Sequence, residues 1–271
     1  MAIVSAFLVP GSPLPMLRPD VKPWARIADG MARAGAALAA SRPDAILLYS
    51  TQWIAVLDQL WQTRRRVSGM HVDENWHEYG DLPFDLQIDA RLARACIAAS
   101  KTIGIRSKPV DYDGFPIDTG TITAAHFLNP GGRIPMVLTS NNVYHDWRLT
   151  ERIARMAAAQ ARKQRKRVAV VGVGGLSGSF FRSEIDADDD RIAAPKEDRW
   201  NRKVLELMKA GDAAGLRAAA PDYAAEAKVD MGFKHLAFVL GALGGRFAGA
   251  TVHAYGPIYG AGAAVVEFQR N

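Results

Sequence analysis

The residues best placed for chemistry lie in one stretch, Arg167 to Arg182, which reads RVAVVGVGGLSGSFFR. Four apolar residues make a short buried strand, and Gly172, Gly174 and Gly175 break it into a loop. A strand that opens into a glycine turn holds a side chain fixed yet accessible. Three chemistries use such a turn. A dinucleotide fingerprint fits Gly172 and Gly174, but Ser177 stands where a third glycine must let the helix pack against the strand. A phosphate loop needs Gly-Lys-Ser/Thr, which the sequence lacks. A nucleophile elbow nearly appears as Gly175-Leu176-Ser177-Gly178-Ser179, with serine in place of the last glycine. Hydrolysis there would need a late histidine as base, His235 or His253; otherwise Ser177 is a turn residue bonding nearby backbone.

The remaining chemistry-bearing groups are histidines and carboxylates. His71, Asp73, Glu74, His77 and Glu78 lie close in sequence, but His71-x5-His77 does not place both rings on one helical face. With Trp76 and Tyr79 alongside, the segment reads as a polar loop that covers something. His126 and His235 sit in apolar helical settings and read as core or interface residues. His145 follows a strand end in Asn141–Trp147, with Asp146 beside it as a helix cap, and is the best single histidine for a pocket. A general base needs a positioned acid or imidazole, and a catalytic metal about three ligands. Spacing alone assembles neither.

The elements that must position these groups alternate in type. Strands are expected at 3–9, 45–49, 82–88, 134–139 and from 168, with a closing pair at 250–255 and 263–268. Helices are expected at 25–40, 89–100, 120–128, 150–163, 198–209, 212–219 and 230–243. The stretch 53–80 is irregular and aromatic-rich. This order predicts an α/β fold: one domain over residues 1–271, a mixed central sheet with helices on both faces.

Composition narrows the function classes. The chain is 49% hydrophobic and 23% charged, as in a soluble globular protein, and no apolar run approaches the ~20 residues of a membrane span. The N-terminal MAIVSAFLVPGSP reads as a first strand rather than a signal peptide. The single cysteine, Cys96, excludes an internal disulfide and a multi-cysteine metal site. The expected location is the cytoplasm. The charge of +6 is concentrated in Arg64–Arg66 and the RKQRKR run at 162–167. The second run ends an Ala-rich helix, where cations meet the dipole favourably, and no aromatics interleave with it; nucleic acid is not the expected partner.

Five strand-end segments share a further pattern: Val9-Pro10-Gly11-Ser12-Pro13, Tyr49-Ser50-Thr51-Gln52-Trp53, Asp118-Thr119-Gly120-Thr121, Val170 to Ser177, and Asp230 to Leu243. Together they resemble the class III extradiol ring-cleavage dioxygenases, the superfamily of the protocatechuate 4,5- and 2-aminophenol 1,6-dioxygenases. Where the family's pattern has histidine, this sequence has Gly11, Gln52, Thr119 and Gly178. The resemblance implies iron ligands at the first two positions and an acid–base residue at the last. The glutamate ligand falls near Asp230, with Gly232 and Lys234 as equal alternatives.

A ferrous site of two imidazoles and a carboxylate does not survive replacement of both imidazoles by glycine and glutamine. Losing the acid–base residue alone costs ~10²–10⁴-fold in rate. The resemblance is therefore to the iron-free α-subunit type of 2-aminophenol 1,6-dioxygenases. It implies that a homologous β subunit carries Fe(II), in an α2β2 assembly that cleaves 2-aminophenol or a substituted relative with O2. This chain would hold no cofactor and no catalytic residue. A vestigial pocket is expected from Gly11, Ser12, Gln52, Thr119, His145, Gly178 and Asp230. Trp53, Trp61, Trp76, Tyr79 and Trp147 are expected to be divided between the subunit interface and the core. The alternative is a free-standing ligand-binding or regulatory protein on the same fold.

Overall fold

Val168–Val173, Ile3–Val9 and the first half of the second strand are apolar without alternation, the signature of strands covered on both faces. They form the centre of an eight-stranded sheet in a computed structural model that describes residues 2–270. In chain order the strands are β1 (Ile3–Val9), β2 (Ala45–Ala55), β3 (Gln59–Gln62), β4 (Arg66–His71), β5 (Leu82–Gln87), β6 (Ser107–Val110), β7 (Met136–Asn142), β8 (Val168–Val173), β9 (Gly249–Ile258) and β10 (Ala261–Gln269). The helices are α1 (Leu14–Leu17), α2 (Lys22–Ala40), α3 (Ala90–Ser100), α4 (Thr119–Leu128), α5 (Trp147–Lys163), α6 (Pro195–Lys209), α7 (Ala213–Ala227) and α8 (Lys234–Ala242).

The sheet runs β6-β3-β7-β2-β8-β1-β10-β9, with β4 and β5 forming a separate antiparallel pair. The inner strands β7, β2, β8 and β1 are parallel, so their carboxyl ends open on one edge. The β9–β10 hairpin joins antiparallel beside β1. Alternation along each strand divides the core in two. Ala6, Leu8, Val168 and Val170 face one cluster with α3, α5 and α8; Phe7, Val9, Val171 and Val173 face the other with α2 and α4. The mixed sheet with helices on both faces is the architecture expected.

The boundaries differ in informative places. Strand β2 continues to Ala55 instead of ending at Tyr49, because Ile54 and Ala55 pair with Asn141 and Asn142 of β7. The irregular stretch 53–80 contains β3 and β4. Helix α7 runs through Pro221 to Ala227, since Leu216, Ala220 and Tyr223 are buried along it and burial outweighs propensity. The helix expected from Asp230 starts only at Lys234: Met231, Gly232 and Phe233 have φ of 45°, 65° and 66°, a left-handed turn no helix contains.

The basic run is engaged in structure: Lys166 pairs with Asp89 at 2.6 Å, and Arg167 donates to the carbonyls of Ser41 and Arg42. Among the described residues no helix is long and apolar enough to cross a membrane.

Candidate functional site

In open α/β sheets the crevice beyond the carboxyl ends of the parallel strands is where ligands bind. A cavity of about 420 Å3 lies there, over β1, β2 and β8, closed on the far side by the β9–β10 turn. Pro10 to Pro13 follow β1, Gln52 projects from β2, and Gly175, Ser177 and Gly178 follow β8. The segment between α7 and α8 supplies Lys228 to Met231. Asp73, Asn75 and Trp76 come from the loop after β4.

Five of the expected pocket residues meet in this cleft: Gly11, Ser12, Gln52, Gly178 and Asp230. The centre is taken up by an amide. Gly120 donates its backbone N–H to Gln52 Oε1 at 2.7 Å, and Gln52 Nε2 donates to the Gly11 carbonyl at 3.3 Å. Gln52 thus braces the loop after β1 against the N-terminus of α4. At Gly178 the backbone itself intervenes, because the Lys228 carbonyl oxygen occupies the place a β-carbon would need.

Thr119 and His145 are not in the cleft wall. Thr119 is buried behind it at the start of α4, where its hydroxyl donates to Asp73 Oδ2 at 2.7 Å. That hydroxyl has one proton, so His71 Nε2, 2.9 Å away, must be the donor to it. His145 lies beyond β7, one strand removed from the opening, and its backbone N–H donates to the Asn142 carbonyl. Burial and the nearby Lys234 ammonium lower its pKa. Following a strand end did not suffice, because the cleft lies over β1, β2 and β8 only.

Asp230 is the most constrained cleft residue. Thr51 donates its hydroxyl to Asp230 Oδ2 at 2.5 Å, and Gly175 donates its N–H to the same oxygen at 3.2 Å. Burial raises its pKa, opposed by those two donors and by the Lys234 charge. Lys234, the first residue of α8, is buried and donates to the Asn142 carbonyl at 2.9 Å; burial lowers its pKa. A buried cation so close to Asp230 was not foreseen, since nothing in the sequence separates a buried lysine from a solvated one.

The other candidates resolve simply. Ser177 is buried, and its oxygen accepts from Asn201 Nδ2 at 2.9 Å and from the Gly262 N–H at 3.1 Å. His235 is fully buried with both ring nitrogens unpartnered among the described residues, while His253 pairs with Glu267 at 2.9 Å. With no imidazole on Ser177, a nucleophile elbow is not assembled. His126 is exposed on α4 rather than in the core. Ligand atoms of His71, Asp73 and Glu74 lie within 4.8 Å of one another. The His71 Nε2 and both Asp73 oxygens, however, already hold Thr119 and the Asn75 N–H.

Of the aromatics, Trp61 is fully buried and Trp53 nearly so, which places both in this chain's own core. Trp147 is half-buried against Phe233 and donates to Glu151. Trp76, half-buried, lies parallel to Tyr79 and meets Tyr259 edge-on, and forms one wall of the cleft. Phe180, which sequence reading passed over, forms the rim and is 60% exposed.

The sequence from residue 10 to 268 matches the family described as the catalytic LigB subunit of aromatic ring-opening dioxygenase. A 2-aminophenol 1,6-dioxygenase alpha subunit from a Pseudomonas species is 54% identical over 269 residues, 99% of either chain. A 2-aminophenol 1,6-dioxygenase beta subunit from a Pseudomonas species is 25% identical over 256 residues, 90% of this chain and 84% of that one. The crystal structure of an uncharacterized Escherichia coli K12 protein superposes with a TM-score of 0.70 at 16% identity, covering 97% of this chain and 99% of the other. That last likeness concerns the fold alone.

Proposed function

We propose a function from one premise: the chain belongs to the LigB family of aromatic ring-opening dioxygenases. Within it, residues 1–271 form one class III extradiol dioxygenase-like domain that serves as the iron-free α subunit of a 2-aminophenol 1,6-dioxygenase-type complex. A homologous β subunit carries Fe(II) and cleaves 2-aminophenol, or a substituted relative, with O2. The assembly is α2β2 and cytoplasmic. This chain buries a face of the β subunit and holds its loops, and is inactive by itself.

The observation that carries this reading is the amide of Gln52 between Gly11 and Gly120. A ferrous centre of this family's kind requires imidazole nitrogens and a carboxylate converging on open coordination positions. The cleft wall offers carboxylates at Asp73 and Asp230 and no imidazole. Both Asp73 oxygens are already engaged, by the Asn75 N–H and the Thr119 hydroxyl. The residues present do not fit iron, and no step of ring cleavage is assigned to them. The much higher identity to an alpha than to a beta subunit supports the same assignment.

Co-expression with a homologous β chain, followed by metal analysis of each separated subunit, tests the reading. Iron is expected in the β chain only, and ring cleavage only when both are present. Stoichiometric iron in this chain, or ring opening by it alone, would overturn the proposal.

A further inference from the structure

A second hollow, of about 590 Å3, lies at one end of the sheet, between α3 and the edge strand β6, three strands away from β2. Its volume is within the range that ligand pockets occupy. One stripe of α3 and of the turn after it makes one wall: Arg94, Ile97, Ala98 and Lys101 follow at i, i+3, i+4 and i+7 and so share a helical face. Ile105, Arg106 and Pro109 belong to the facing wall. Three cations are thus set around apolar side chains, and no carboxylate lines the hollow.

Two of these cations have donors to spare. Arg106 donates from Nε to the buried carboxylate of Asp58, and the one charge of Asp58 is shared with Lys108 at 3.0 Å. The terminal nitrogens of Arg106 have no acceptor among the described residues, and its side chain is 73% exposed. Lys101, exposed just past α3, has no acceptor for its ammonium among the described residues. Arg94, by contrast, is taken by Asp111 at 3.5 Å. A guanidinium anchored through Nε keeps its outer edge for a second carboxylate, which arginine's planar fork recognises with two parallel hydrogen bonds. Half-buried Ile97 and exposed Pro109 leave apolar surface open beside it, which favours an anion with an apolar body over a bare inorganic one.

We propose that the groove between α3 and β6 binds a small organic carboxylate, its carboxyl group on Arg106 and Lys101 and its apolar body along Ile97 and Pro109. The assignment does not rest on the reading of the chain as an iron-free subunit, because no residue of the groove belongs to the cleft.

The test titrates the full chain at low ionic strength with benzoate, with benzamide as the neutral ring of the same shape, and with inorganic phosphate as the anion without an apolar body. Calorimetry reads affinity, and backbone amide NMR shifts locate the site. Saturable one-to-one binding of benzoate is expected, moving the Lys101 and Ser107 amides and leaving the Gly175 amide of the cleft in place. Benzamide and phosphate should each bind about tenfold more weakly or worse. Arg106→Gln and Lys101→Gln, at exposed positions, should each weaken benzoate by about tenfold, and Lys108 remains on Asp58 in both. Ala98→Glu keeps a good helix former on α3 while placing a negative charge in the groove, and should abolish binding. Arg26→Gln removes an exposed positive charge from α2, across the sheet, and should leave the affinity unchanged. No saturable binding of benzoate, equal affinity for benzamide or phosphate, shifts confined to the cleft, or an equal loss in Arg26→Gln would each overturn the inference.

Discussion

Gln52 Nε2 lies 2.9 Å from the point where a β-carbon on Gly11 would stand. Glycine at 11 and glutamine at 52 are therefore one arrangement, in which the amide uses room that only a missing side chain leaves. Gly11→Ala should destabilise the chain by about 1–3 kcal/mol through overpacking. Removing the amide should relieve part of this, although Gly120 Cα and Val173 Cγ1 remain at 3.2 Å. Urea unfolding of Gly11→Ala, Gln52→Ala and the double variant gives the coupling. A value above ~0.5 kcal/mol is expected for residues in contact, and simple additivity would refute the arrangement.

Gly178 meets a harder obstacle. A β-carbon there runs into the Lys228 carbonyl oxygen, and the Gly178 N–H donates to Ala227 at 3.1 Å, so neither backbone is free to retreat. Gly178→Ala should cost about 1–3 kcal/mol or more, and Gly178→His should restore no proton transfer. Gly175 is the control, because its nearest neighbour to an added β-carbon is 3.7 Å away. Thermal melts of the two alanine variants should separate clearly; equal melting points would contradict the obstruction.

The sequence makes the sheet legible where burial on both faces erases alternation, as in β1 and β8. It makes the loss of chemistry legible at Gly11 and Gln52 because both lie in strand-end motifs. What closes those positions comes from far along the chain: the Lys228 carbonyl reaches Gly178 from fifty residues away, and Gly120 reaches Gln52 across the sheet. The second half of β2 is polar at Ser50, Thr51 and Gln52, yet the strand resumes because Ile54 and Ala55 pair again with β7, while Asp118 accepts the Ser50 hydroxyl and Asp230 that of Thr51. Left-handed Met231 and Phe233 leave no mark in the sequence, so the expected helix begins four residues before the observed one.

Ser177 is a structural acceptor. Replacing it with alanine strands the Asn201 amide, whose oxygen already holds the Tyr223 hydroxyl at 2.6 Å. Ser177→Ala should lose about 1–3 kcal/mol, the cost of an unpaired buried polar group. Chromogenic ester hydrolysis should be the same background rate in variant and wild type. A selective loss of that activity would bring back the hydrolase reading.

Cys96 lies fully buried on α3, where burial, with a smaller push from Asp89, raises its thiol pKa well above the ordinary range. The reactive species is the thiolate, so a disulfide reagent should find no thiol in the native chain and one equivalent after unfolding. Rapid labelling under native conditions would show that the α3 packing opens.

His235 carries the clearest pH prediction. Its ring is fully buried between Gly174 and Phe233, neither nitrogen has a partner among the described residues, and burial depresses its pKa from 6.5 to about 3. The native state therefore holds a neutral ring while the unfolded chain takes up a proton below 6.5. Stability from this group is complete above pH 6.5 and falls as the pH drops from 6.5 towards 3. The slope is about 1.4 kcal/mol per pH unit, so about 2 kcal/mol should be gone at pH 5. His235→Leu removes the titrating group at similar volume and should lose that share of the acid sensitivity, while becoming as stable as wild type or more so at pH 7.5, since no hydrogen bond is sacrificed. Urea unfolding of both chains at pH 7.5 and pH 5 is the measurement. Parallel losses in the two would mean that the ring is not the buried neutral group that its surroundings imply.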